Sequence, residues 1–196
     1  PGDSSPVLIV GLGNPGPKYD RSRHNAGFMV LNRLAERWGI SRSKEKYRGI
    51  IGEGRIAPGG PRVVLLKPLT FMNESGKSAG PAAGSKHIPP DRIIAVHDEI
   101  DLPFGEVRSR LGGGLAGHNG LKSLKSGLGT SDFWRVRVGV DRPDSTDPER
   151  VAAWVLGRFS ESGEEVRDLI ESGADETERL VEKLNAAESG EEEMKS

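Results

Sequence analysis

The chain has 196 residues, no cysteine, and 28 Lys+Arg against 29 Asp+Glu, a formal charge of −1. That length suits one domain with a sizeable core, and the missing thiols exclude a disulfide scaffold, cysteine-liganded metal and thiol catalysis. No stretch approaches the roughly 18 consecutive apolar residues of a membrane span, and the lead Pro1–Pro6 lacks the basic and apolar regions of an export signal, so a cytoplasmic protein is expected.

Val7-Leu8-Ile9-Val10 is a short β-branched run stopped by glycine, which predicts a fully buried strand. From Gly27 to Trp38 the apolar residues Phe28, Leu31, Leu34, Ala35 and Trp38 recur every three or four positions, with Gly39 as a stop, so a helix is expected there. Further strands are predicted at Gly49–Ile56, Val63–Leu66, Ile93–His97, Val107–Arg110 and Arg135–Val140. Helical stretches fall near Ser75–His87, weakened by Gly80, Pro81 and Gly84, and near Gly117–Ser126. Ser162-Gly163-Glu164-Glu165 has capping-box form, and Val166, Leu169, Ile170, Thr177, Leu180, Val181 and Leu184 keep one face of a last helix apolar. The alternation of strands and helices predicts a three-layer α/β sandwich with a mixed, mostly parallel sheet. Residues 1–185 form one domain in this reading, and 186–196, which lack apolar periodicity, a disordered acidic tail.

Gly11-Leu12-Gly13-Asn14-Pro15-Gly16 follows a strand and fits the dinucleotide-binding pattern G-x-G-x-x-G. The match is formal. Pro15 and Pro17 bracket Gly16 where that turn needs a helix, and the ribose-binding acid is missing, since Glu36 lies on the amphipathic helix. No nucleotide cofactor is expected.

The loop does carry Asn14 at the end of the first strand, the edge where open α/β sheets place their sites. Other polar clusters sit in comparable places: Arg23-His24-Asn25, Phe71-Met72-Asn73, His97-Asp98-Glu99, and a glycine-rich loop Gly112–Gly117 running into His118-Asn119. Histidine, aspartate and asparagine in such an arrangement fit hydrolysis without metal or covalent intermediate. A neutral imidazole takes a proton from water, a carboxylate fixes its tautomer, and amides donate to the developing oxyanion. Attack by water is expected rather than by a serine nucleophile, and a metal is disfavoured by the absence of a ligand cluster such as H-E-x-x-H.

Gly11 to Gly16 with Tyr19, Arg23-His24-Asn25, Lys67-Pro68 through Phe71-Met72-Asn73-Glu74-Ser75-Gly76, His97 to Pro103 and Gly117-His118-Asn119-Gly120-Leu121-Lys122 together resemble bacterial peptidyl-tRNA hydrolase, in order from Val7 to about Phe159. The resemblance implies a monomeric, cofactor-free enzyme that cleaves the ester between a peptide and the 3′-terminal ribose of tRNA, recycling tRNA from aborted translation. It makes His24 the general base, Asp98 its partner and Asn14 a third catalytic group. Tyr19, Phe71, Met72, Asn73, His118 and Asn119 would bind substrate. Arg110, Arg137 and, more weakly, Lys122 would hold the phosphates of the acceptor stem and 5′ end, with the CCA end in the crevice. Two departures from the family pattern are Leu115-Ala116, which should stiffen the glycine-rich loop, and Asp141 in place of a usual glycine. A non-catalytic RNA-binding protein of this fold is the main alternative, and intact His24, Asp98 and Asn14 speak against it. A small-molecule esterase would leave the charge distribution unexplained: thirteen acidic and four basic side chains follow Ser160, so the preceding body is +8 and the remainder −9.

Overall fold

Val7–Gly11 (β1) is buried along its whole length, and its side chains divide between two cores. Val7 and Ile9 enter one and Leu8 and Val10 the other, as the two-residue period of a strand requires. The computed structural model, which describes residues 5–195, places β1 at the centre of a seven-stranded sheet. The other strands are Lys44–Lys46 (β2), Gly49–Arg55 (β3), Arg62–Pro68 (β4), Ile93–Glu99 (β5), Val107–Leu111 (β6) and Trp134–Gly139 (β7), in the order β2-β3-β4-β1-β5-β7-β6.

The central strands β4, β1, β5 and β7 run parallel, while β2, β3 and β6 pair antiparallel at the two edges. The mixed sheet is as expected, with parallel pairing confined to its middle. β2 has no counterpart in the expected elements. Lys44-Glu45-Lys46 is exposed throughout and carries no apolar alternation; charge on an edge strand discourages pairing with other chains. It is joined to β3 by Tyr47 and Arg48, both at positive φ, 54° and 53°, which is the mirror-image turn that tight hairpins favour.

Ala26–Arg37 (α1) and Gly163–Lys195 (α5) cover one face of the sheet, and Gly76–Ser85 (α2) and Asn119–Leu128 (α3) the other. The glycines of α2, a weakness by propensity, serve packing. A Cβ on Gly76 would collide with the Ser123 carbonyl, and one on Gly127 of α3 with the Gly76 carbonyl, so the two helices touch backbone to backbone. Gly27 does the same for α1, where a Cβ would strike the Val96 carbonyl of β5. A further helix, Pro148–Leu156 (α4), lies outside these layers and buries none of its residues.

The expected disorder after Asn185 is corrected: α5 continues as helix to Lys195, while Ser196 and Pro1–Ser4 of the lead lie outside the described residues. Ala186, Ala187 and Glu188 are good helix formers and need no apolar face to propagate an existing helix. Glu188 also pairs with Arg92 at 3.0 Å. Further back, the acids of α5 meet α1: Arg33 Nε donates to Glu171 at 2.6 Å, and Arg37 bonds Glu171 and Asp175. The acidic segment is therefore folded onto basic residues of the body. Among the described residues no helix is long and apolar enough to cross a membrane.

Candidate active site

The parallel strands end at one edge, and the polar residues singled out in the sequence gather there. Asn14 follows β1 and is clamped by Asn25. The Asn14 N–H donates to Asn25 Oδ1 at 2.8 Å, and Asn25 Nδ2 donates to the Asn14 carbonyl at 2.9 Å. The Met72 N–H, just past β4, donates to Asn14 Oδ1 at 2.8 Å. A backbone N–H only donates, and of the two ends of the Asn14 amide only the oxygen accepts, so the amide orientation is set and its NH2 is the group left to act.

Asp98, 2 % exposed near the end of β5, receives two imidazoles. His24 Nδ1 lies 2.9 Å from Oδ2, and His118 Nε2 lies 2.9 Å from Oδ1. The backbone N–H groups of Gly120 and Leu121 donate to His118 Nδ1 at 3.1 and 3.3 Å, capping α3. That nitrogen is unprotonated, so the proton of neutral His118 sits on Nε2 and points at Asp98. Burial would raise the Asp98 pKa, yet the electrostatic pull of the two imidazoles and their hydrogen bonds outweighs it and holds the carboxyl well below the usual carboxylate range. An ionised Asp98 only accepts, so His24 Nδ1 carries a proton, and in the neutral imidazole the lone pair is on Nε2. For His24, burial opposes the cation, but the charge of Asp98 and its hydrogen bond prevail and the pKa is raised. His97, beneath them, donates from Nδ1 to the Asp98 carbonyl at 2.8 Å, and burial followed by the nearby His118 pushes its pKa down to about 3, so it stays neutral.

His24 Nδ1, Asp98 and His118 Nε2 lie close enough together to be tested as a metal site. The donor set does not fit. Both imidazole nitrogens carry the protons that bond Asp98, and freeing His118 Nε2 would break the cap on α3.

A cavity of about 610 Å³ opens over this group, lined by Asn14, His24, Met72, Asn73, His118 and Asn119 among others. Its far wall is Val151, Val155 and Leu156 of α4. Tyr19 and Phe71 do not line it; Phe71 is 58 % exposed beside Met72. A second cavity, of about 200 Å³, lies behind the glycine-rich loop and brings together Arg110, Arg135, Arg137, His97 and Glu99. Register explains this basic face: Arg110 pairs with Arg135, Arg108 with Arg137 and Arg137 with His97, and directly paired residues share a face. Arg137 Nε donates to Glu99 Oε1 at 2.9 Å, and Arg110 is exposed against Gly113. Lys122 is exposed on α3 and lines neither cavity.

Three parts of the site escaped the sequence reading. Asn25 was visible only as part of a cluster. Arg135, 1 % exposed, donates to the carbonyls of Phe133, Ser131 and Gly113 and so supports the loop. α4 left a signal that could have been read: Asp147 as N-cap, Pro148 at the first helical position, and Val151 and Val155 four apart.

The two departures from the family pattern, Ala116 and Asp141, have φ of 48° and 70°, the left-handed region that glycine occupies without strain.

A family model described as peptidyl-tRNA hydrolase matches residues 8–195. The chain is 49% identical over 181 residues to the peptidyl-tRNA hydrolase of Mycolicibacterium smegmatis, covering 91% of this chain and 92% of that one. It is 54% identical over 153 residues to that of Geotalea daltonii, covering 78% of each. Among solved structures, peptidyl-tRNA hydrolase from Acinetobacter baumannii superposes with a TM-score of 0.81 at 37% identity, over 96% of this chain and 94% of the other. The chain belongs to the peptidyl-tRNA hydrolase family.

Proposed function

We propose that the cleft hydrolyses the ester joining a peptide to the 3′-terminal ribose of tRNA, by attack of a water that His24 Nε2 deprotonates. The observation that carries this reading is the pairing of His24 Nδ1 with buried Asp98, which turns a lone pair toward a cavity also lined by the oriented amide of Asn14. Asp98 holds the tautomer and stabilises the imidazolium as the proton arrives. The Asn14 NH2 donates to the carbonyl oxygen as it becomes an oxyanion, with Asn73 and Asn119 positioning the ester. The proton then passes from His24 to the departing ribose hydroxyl. Water, ester and side chains suffice, so no cofactor enters, and the protein works as a monomer where translation runs.

The arginine face suits the acceptor stem and 5′-phosphate, because guanidinium matches phosphate geometry. Arg110 and Arg137 form the clamp, and Lys122 contributes to the same field from α3. Exposed Phe71 offers a stacking surface to an unpaired base of the CCA end. Met72 shapes the crevice beside Asn14, and Tyr19 lies on the turn before His24.

The test is incubation of purified protein with a peptidyl-tRNA and, in parallel, an unblocked aminoacyl-tRNA. Cleavage of the first and sparing of the second is expected. His24→Ala should lose turnover while still binding tRNA; normal turnover in that variant would overturn the assignment of the base.

A further inference from the structure

α4 supplies the apolar wall of the cleft, yet it buries none of its residues, so ordinary core packing does not set its position. Several of its ties run through one residue. Arg23, 4 % exposed, lies beside His24 on the same 3-10 turn. Its NH1 donates to the Trp154 carbonyl at 2.9 Å, in the last turn of α4, where a cation complements the negative end of the helix dipole and shares a carbonyl that also accepts the Gly157 N–H. Its guanidinium stacks on the Trp154 ring with 3.5 Å to the centroid. Its backbone N–H donates to the Gly157 carbonyl at 3.0 Å, and Ser22 bridges Arg158. Trp154 is in turn held from the other side, its Nε1 donating to the Asp141 carbonyl at 2.9 Å.

We propose that Arg23 is a positioning residue for the reaction: it pins α4 to the turn that carries His24, so that the apolar wall and the base keep one spacing. This rests on the reading of His24 given above. The wall of Val151, Val155 and Leu156 suits apolar side chains of a peptide, whereas Arg110, Arg135 and Arg137 line the adjoining cavity behind the glycine-rich loop. Loosening the pin therefore acts on recognition of the peptide half and leaves the RNA half unchanged.

The experiment compares Arg23→Met, Arg23→Lys and Trp154→Leu with the unaltered chain on two substrates, N-acetyl-leucyl-tRNA and N-acetyl-glycyl-tRNA. Each variant should raise KM for the leucyl substrate about tenfold, the discrimination that one apolar contact carries, and for the glycyl substrate by less than about twofold. Lysine keeps the charge but not the planar fork or the stacking, so Arg23→Lys should not rescue. The double variant Arg23→Met with Trp154→Leu should lose no more than the worse single, because both break one contact. Equal losses on the two substrates, or additive losses in the double variant, overturn the proposal. Trp154 is only half-buried, so Trp154→Leu alone decides the matter if Arg23→Met does not fold; an unchanged leucyl-to-glycyl ratio there overturns it. Normal turnover by His24→Ala would instead sink the assignment of the base, whatever the Arg23 variants do.

Discussion

His118 bonds Asp98 through Nε2 at 2.9 Å while its Nδ1 caps α3, so one imidazole fastens the carboxylate that also holds His24 to the start of a helix. The two jobs separate by substitution. His118→Ala loses both, and the missing cap should cost about 1 kcal/mol, or roughly 2–4 °C in Tm for a chain of this size. His118→Asn can cap but cannot reach Asp98 as imidazole does. Thermal unfolding should place Asn above Ala while kcat falls in both; equal Tm values would show that the cap does not matter.

The raised pKa of His24 has a sign that kinetics can read. Burial alone would lower it, and the Asp98 charge and hydrogen bond reverse that. A base works only unprotonated, so kcat/KM should fall as pH drops through a value above the 6.5 of a free imidazole. Asp98→Asn removes the carboxylate. The acidic limb should then move to lower pH and kcat should drop on the order of 10²–10⁴-fold. Rate profiles of the two proteins, measured across neutral and acidic pH, check both statements.

Asn25 never touches the cavity, yet it holds both backbone groups of Asn14. Asn25→Ala leaves a buried donor and acceptor unpaired and should destabilise by about 1–3 kcal/mol in urea unfolding. Asn25→Asp keeps the acceptor and loses the donor. It should retain part of the activity that the alanine variant loses; the reverse order would mean that the clamp does not orient Asn14.

Salt dependence separates the arginine face from the rest of the surface. Arg137→Ala should weaken tRNA binding and reduce the slope of log affinity against log salt by about 1. Lys122→Ala, at a side chain lining neither cavity, should change that slope less. Titrations over a range of ionic strengths give both numbers, and an unchanged slope for Arg137→Ala would place the clamp elsewhere.

Ala116 and Asp141 occupy left-handed backbone at φ of 48° and 70°. Ala116→Gly should relieve strain on the order of 1 kcal/mol, visible as a higher Tm. Asp141→Gly should gain less, because aspartate tolerates this region through local hydrogen bonds, and its Oδ1 accepts from the Arg142 N–H at 2.9 Å.

Buried strands were legible because an apolar run such as Val7 to Val10 has few alternatives, and the polar clusters were legible because parallel strands deliver their ends to one edge. β2 was not, since its three charged residues carry no period. The burial of Arg135 was not legible either: its guanidinium is met by the carbonyls of Phe133 and Ser131 just before it and by that of Gly113, which the pairing of β6 with β7 brings alongside. The extension of α5 past Asn185 was hidden because helix propensity without an apolar face reads as disorder.

The contact between the acids of α5 and the arginines of α1, on one side of the sheet, leaves Arg108, Arg110, Arg135 and Arg137 on the opposite face. With a total charge of −1 the molecule exerts almost no net pull on a distant polyanion. What it retains is a dipole moment across the sheet. Within about one Debye length of any polyanion, roughly 8 Å at physiological salt, that moment acts as a torque that turns the arginine face toward the negative charge. Orientation, rather than attraction, is what this near-neutral chain contributes to the encounter.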